Sequence, residues 1–256
     1  MISKNKIKDV RALHLKKFRI EQQLFIAEGE KIVHDLIYSD YKIHSIYVLD
    51  EWLIEFKNQY HDKIDFELNV VTEKELKQIT TLTTPNKILA VAETPEHGFD
   101  FNNHTDALTL IIDDIQDPGN LGTIIRIADW FGIAALICSE NTVEVYNPKV
   151  IQAAMGSLFR VKVFNKNLND FFQHNKENFH LPVYGTTLDG KDIHKEKLQP
   201  KGLILFGNES KGISPELLKW ITHPITIPSY QNKNNSIDSL NVSVAAGIIC
   251  AEFRKG

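Results

Sequence analysis

The stretch LTLIIDDIQDPGNLGTIIRIADWFG, Leu108 to Gly132, decides the fold class. It opens on an apolar run and breaks at Asp113 and Asp114. A tight turn, Asp117-Pro118-Gly119-Asn120-Leu121-Gly122, follows, and a helix then carries Arg126 one turn in. An unbroken apolar run suits a strand covered on both faces. The unit therefore reads as strand, turn, helix. The same pattern recurs downstream, where AALICS, RVKVF, PVYGTT, GLILFG and PITIP are strand-like. Asn147-Pro148 and Ser214-Pro215-Glu216 start two of the helices between them, with Ser214 as N-cap and Pro215 at the first helical position. A long apolar helix is expected from about Ser239 to Arg254. Strands alternating with helices imply an open, mostly parallel α/β sheet.

Upstream the chain is also α/β, on a smaller scale. Leu24 to Ile37 has apolar residues at helical spacing, and IHSIYV (43–48) and KILAVA (87–92) read as strands. Thr72-Glu73-Lys74-Glu75 is a capping box that opens a short helix through Ile79. The polar, turn-rich stretch Glu93–Ala107 separates the two halves. This gives an α/β/α domain over 1–95, a linker over 96–107 and a larger domain over 108–256.

The charge is polarised. Residues 1–20 hold seven basic side chains (Lys4, Lys6, Lys8, Arg11, Lys16, Lys17, Arg19) and one acid, Asp9, whereas residues 21–100 hold seven basic and sixteen acidic. A basic leading segment on a chain of net charge −4 suits phosphate contacts, although a solvated helix face has the same composition. No apolar run is long enough to span a bilayer, and the N-terminus has no secretory h-region. Cys138 and Cys250 stand apart in apolar surroundings, as in a reduced, cytoplasmic protein.

Ligands of open α/β sheets bind at the carboxyl ends of the strands. Three loops stand out there, at 111–132, 203–214 and 225–247. Gly119-Asn120-Leu121-Gly122 lacks the first glycine pair of a dinucleotide fingerprint, and the Gly207–Gly212 spacing of a P-loop is followed by Ile213 rather than Lys. The ten histidines form no H-x-x-x-H pair or Cys/His set, so no metal site is expected. No G-x-S-x-G elbow supports a serine hydrolase.

D-P-x-N-x-G with Arg126 shortly after, G-x-E-x-x-G over Gly207–Gly212, and Ile227-Pro228 followed by SLNVSVAA (239–246) resemble, in order, the three motifs of the SpoU (TrmH-like) branch of the SPOUT RNA methyltransferases. The likeness covers about 108–256 and includes PKVIQAAMGSLFRVKV (148–163). FIAEGEKIV (25–33) and TTPNKILAVA (83–92) are similar to the ribosomal-protein-like RNA-binding domain fused to many members.

The resemblance implies a trefoil-knotted domain, a rare exception to unknotted topology, and S-adenosylmethionine as methyl donor. The product would be a ribose 2′-O-methylated RNA, ribosomal rather than transfer RNA. A catalytically inactive RNA-binding or ribosome-assembly factor is the alternative. The implied cofactor residues are Thr186, Leu205, Phe206, Gly207, Asn208, Gly212, Ile227, Pro228 and Leu240. The implied catalytic set is Arg126, Asn120, Glu209, Ser239 and Asn241. Arg126 is essential in this reading, as base or as charged stabiliser. Glu209 supports it or its own loop, and Ser239 contacts substrate or caps the last helix. Homodimerisation through the knotted region, with Arg126 serving the partner's cofactor, is also implied. Ten residues, Ser229–Asp238, lengthen the loop before Ser239 beyond the family pattern. The resemblance leaves the RNA and the nucleotide unspecified.

Overall fold

A computed structural model describes residues 2–96, 98–230 and 239–255 of the chain. They pack as two units, one formed by Met1–Glu96 with Glu144–Phe159 and the other by His97–Val143 with Arg160–Gly256.

In the first unit, α1 (Lys4–Ala12) and α2 (Lys16–Gln22) lead into β1 (Leu24–Glu28) and α3 (Glu30–Ile37). Next come β2 (Ile43–Leu49), α4 (Leu53–Tyr60), β3 (Glu67–Val71), α5 (Glu73–Ile79) and β4 (Ile88–Glu93). The four strands form one sheet in the order β1-β4-β2-β3, antiparallel except for β2 with β3. Successive side chains alternate between its faces. Ile26, Tyr47, Leu49, Leu89 and Val91 pack with Val10, Leu13, Leu76 and Ile79 of the α1–α5 side. The expected capping box is present: Thr72 accepts from the Glu75 backbone, and Glu75 accepts from the Thr72 backbone at 2.9 Å.

The second unit starts with β5 (Leu108–Ile112), α6 (Pro118–Trp130) and β6 (Ala135–Cys138). The chain then returns to the first unit as α7 (Pro148–Ala154), which packs on β1. Phe25 stacks with Tyr146 at 4.8 Å and with Phe159 at 6.4 Å between ring centroids. Stretch 148–163, which the linear boundaries place in the large domain, is thus mostly part of the first unit's packing. The second unit resumes with β7 (Lys162–Asn165), α8 (Leu168–Asn178), β8 (Val183–Asp192), β9 (Gly202–Phe206), α9 (Pro215–Leu218), β10 (His223–Thr226) and α10 (Val242–Phe253).

Its six strands run β10-β8-β9-β5-β6-β7, every neighbouring pair parallel. All residues of β5, β6 and β9 are buried, as unbroken apolar runs require. Part of the expected linker is anchored here. Phe101 is buried and stacks with Phe171 and Phe179, 4.6 and 4.8 Å away. Among the described residues no helix is long and apolar enough to cross a membrane.

Four local readings change. Leu24–Glu28, read with 29–37 as helical spacing, is strand β1, and the helix begins only at Glu30. The supposed tight turn at 117–122 is the first turn of α6. Asp117 caps it by accepting from the Asn120 N–H at 2.8 Å, and Pro118 occupies the first helical position. Arg126 therefore lies in the third turn of the helix. Ser214 precedes Pro215 as expected, but its side chain does not cap α9. Finally, α10 begins at Val242 rather than near Ser239. Its cap is Asn241, whose side-chain oxygen accepts from Ser243 N at 2.9 Å and Val244 N at 3.3 Å.

Candidate active site

Three loops leave the carboxyl ends of β5, β9 and β10, all within the second unit. After β5, buried Asp113 accepts from the Ser214 backbone N–H at 2.8 Å. Burial pushes its carboxyl above the ordinary value, and the bonds from Ser214 partly offset that rise. Asp114 takes a left-handed backbone, φ 55°, a conformation that Asp tolerates better than most residues.

The loop after β9 is locked by its own backbone. Asn208 and Gly212 exchange N–H···O bonds of 2.9 and 3.0 Å. The Asn208 side-chain oxygen accepts from Ser210 and Lys211 N–H, and its amide donates to the Asp114 carbonyl at 2.7 Å. A Cβ on Gly207 would lie 2.2 Å from the Gly212 carbonyl carbon and 2.3 Å from the Ile213 nitrogen. Only glycine permits this turn.

Asn120 joins all three loops. Its amide donates to Glu209 Oε1 at 2.9 Å, and its side-chain oxygen accepts from Asn241 Nδ2 at 2.9 Å. A carboxylate only accepts, so Glu209 fixes which way round the Asn120 amide sits. The orientation passes to Asn241, whose own oxygen is committed to the start of α10 and to the Ser243 hydroxyl.

The structure thus brings together Asn120, Glu209 and Asn241 of the expected catalytic set. Arg126 is exposed and makes no hydrogen bond or ion pair with the described residues. Glu209 pairs with Asn120, not with Arg126. Ser239 is exposed and does not cap a helix.

On the cofactor side, Leu205 and Phe206 point into the core. Their side chains are closed to a ligand, which leaves only their backbone to face one. Asn208 is occupied within its loop, as just described. Thr186, Ile227 and Pro228 are partly exposed, Gly212 is exposed, and Leu240 is 49% exposed. Residues 231–238 of the long loop lie outside the described residues.

In the sequence, Asp113, Asp114 and Asp117 read as strand-end and Asx-turn residues ahead of a Mg²⁺ cluster, and the structure gives them roles of that structural kind. Their signal was present, since Asp favours caps and left-handed turns, but nothing in the sequence named their partners. Among the described residues no group of three His, Cys, Asp or Glu could hold a metal. A cavity of about 480 Å³ lined by Phe99, Phe101, Phe171, His174 and Phe179 contains none of the expected site residues.

Residues 107–251 match the SpoU rRNA Methylase family, and residues 4–90 match the MRM3-like substrate binding domain. The chain belongs to the SpoU rRNA methylase family. The 23S rRNA (guanosine(2553)-2′-O)-methyltransferase RlmP of Bacillus subtilis is 33% identical over 97% of this chain and 96% of its own length. A TrmH-family putative RNA methyltransferase of Porphyromonas gingivalis superposes with a TM-score of 0.88 at 35% identity, covering 100% of this chain and 99% of the other. The AdoMet-bound rRNA methyltransferase of Sinorhizobium meliloti superposes with a TM-score of 0.85 at 29% identity, over 100% and 96% of the two chains. The α/β architecture with an all-parallel six-stranded sheet is the SPOUT fold of these enzymes.

Proposed function

We propose that this protein transfers the methyl group of S-adenosylmethionine to a ribose 2′-hydroxyl of ribosomal RNA. The observation that carries the reading is the junction at Asn120. It gathers the loops of all three motifs at one place, at the carboxyl ends of the parallel strands. Ribosomal RNA is favoured over transfer RNA because RlmP, similar over nearly its full length, is named for 23S rRNA.

The site residues fit the cofactor. Partly exposed Ile227, Pro228 and Leu240 offer uncharged apolar surface for an adenine, and Gly207, where a Cβ would strike Gly212 and Ile213, lets the 207–212 loop close tightly on itself. In this reading Gly212 and Thr186 line the remaining edge, and Leu205, Phe206 and Asn208 contribute through backbone and loop shape. When bound, S-adenosylmethionine supplies an electrophilic methyl on sulfur, so the protein has mainly to orient the reactants.

The 2′-hydroxyl is a very weak acid, and charge builds on its oxygen as the methyl bond forms. Arg126, exposed and unpaired among the described residues, is a cation available for that charge. A guanidinium offers five N–H donors and no acceptor, so it is ill suited to take a proton as a base. Arg126 therefore acts as a charged donor that holds the nucleotide and stabilises the developing alkoxide. Asn120, Glu209 and Asn241 position the nucleotide and the loops, and Ser239 is left open toward substrate.

The enzyme works as a homodimer. On α6, Trp130 stands one turn beyond Arg126 and is 85% exposed; on α10, which packs against α6, Val244 is 51% exposed. So large an apolar surface beside a reactive cation suits a partner protomer. Arg126, unpaired among the described residues, then reaches the cofactor held by that partner.

Two measurements test the reading. Calorimetry of the whole protein with S-adenosylmethionine should show one site per chain. Mapping of ribose methylation in ribosomal RNA from a strain lacking this protein should show one lost mark. Absence of both the heat and the lost mark would overturn it.

A further inference from the structure

The seven basic residues of the leading segment do not play the same role. Arg19 is 3% exposed, and its guanidinium is spent inside the first unit. It forms a bidentate ion pair with Glu144 and donates to the Leu13 and His14 carbonyls at 2.7 and 2.9 Å. Lys6 is held by Glu67 and Asn69. Both are structural cations and are unavailable to a ligand.

The other five, Lys4, Lys8, Arg11, Lys16 and Lys17, are exposed, and no carboxylate among the described residues pairs with any of them. Lys4, Lys8 and Arg11 stand at i, i+4 and i+7 on α1, so they share one stripe that spans about 10 Å along the helix. The stripe faces solvent, whereas Ile7 and Val10 turn to the core. Lys16 and Lys17 follow on the first turn of α2. Beside them stand Leu15 and Ile20, large apolar side chains left more than half exposed.

We infer that the exposed face of α1 and the start of α2 is the surface that grips the RNA sugar–phosphate backbone. The five cations are its phosphate contacts, and Leu15 and Ile20 offer apolar contact to riboses or unstacked bases. This rests on the reading of the protein as an RNA methyltransferase and adds which face of the first unit holds the substrate. Charge complementarity selects the occupant. Over residues 21–100 acids outnumber bases sixteen to seven, so the five exposed cations of residues 4–17 set this face apart in sign from the segment that follows it. A protein partner would need an acidic surface of matching length. A nucleic acid presents such a row of charges by its nature.

The test uses the full-length protein and a fluorescein-labelled RNA stem-loop, with binding measured by anisotropy between about 50 and about 200 mM KCl. The variant K4Q/K8Q/R11Q keeps good helix formers on α1. The control K31Q/K57Q/K63Q removes the same charge from exposed positions on and after α3 and α4. The stripe variant should flatten the dependence of log Kd on log salt by about 0.7 to 0.9 per charge, thus by about 2 to 3 in slope. The control should keep the wild-type slope, and both should keep the wild-type circular dichroism. K16Q/K17Q should add a further loss of about 1.5 in slope. Equal flattening in stripe and control variants would show a general charge effect and overturn the assignment. An unchanged slope in K4Q/K8Q/R11Q would overturn it while leaving the methyltransferase reading intact. Failure of the wild-type protein to bind the RNA at any salt, with cofactor binding retained, would overturn both the face and the RNA substrate.

Discussion

Single residues of the site separate into those that shape it and those that act. Gly207 shapes it: with no room for a Cβ beside Gly212 and Ile213, Gly207→Ala should cost about 1–3 kcal/mol of stability. It should also abolish measurable heat of cofactor binding. In the proposed reaction Arg126 acts, and no described residue forms a hydrogen bond or ion pair with it. Arg126→Ala is expected to leave the melting temperature and cofactor affinity unchanged, because exposed substitutions away from special features shift stability by under about 0.5 kcal/mol. Its kcat should fall by about 10²- to 10³-fold. A melting shift of several degrees would show a structural role instead. Asp113 offers a pH test. Its folded carboxyl sits above the unfolded value, so the folded state binds the proton more tightly. Stability is then lost as pH rises from the unfolded pKa through the raised one, and it is level above that window. Asp113→Asn keeps an acceptor for the Ser214 N–H and removes the buried charge. It should melt higher than wild type at neutral pH, with the advantage vanishing below pH ~4.

Among the elements, α2 and α7 form a pair that the chain order conceals. Arg19 on α2 and Glu144, just before α7, are joined although 125 residues apart in sequence. Breaking a buried ion pair strands the surviving charge, so Arg19→Ala should destabilise by about 3–5 kcal/mol. Arg19→Met/Glu144→Leu should cost less than the sum of the single changes, by a double-mutant cycle of urea melts. An additive cycle would mean that the pair is not coupled. The same geometry explains why charge alone misleads over residues 1–20. Composition counts seven cations, and packing leaves five of them for a ligand.

For the whole molecule, the interlaced units predict how it tolerates division. A fragment starting near residue 105 keeps all three motif loops but leaves the segment around α7 without β1. Val150, Ile151, Leu158 and Phe159, buried in the intact chain, would then be exposed. Such a fragment should aggregate or bind a hydrophobic dye strongly, where the full chain does not. The shared-site dimer proposed above predicts subunit complementation. Mixed Arg126→Ala and Gly207→Ala chains, each inactive alone, should recover part of normal activity through hybrids with one intact site. No recovery under conditions where subunits demonstrably exchange would place Arg126 and the cofactor in one chain.

The elements and the order of the motifs were legible in the residues because their causes are local. Apolar runs bounded by turn formers specify strands, the Thr72–Glu75 box specifies a helix start, and the three motifs keep their spacing in one dimension. The start of α6 was equally local and misread, because Asp117 and Pro118 begin a helix as readily as they make a turn. Long-range pairing left no such trace. Asn120 meets Glu209 and Asn241 at separations of 89 and 121 residues, and 144–159 packs with the first unit across a whole β-α-β stretch. Hydrogen bonds and buried ion pairs depend on distance in space, and only the folded sheet sets which distant residues come within 3 Å of each other.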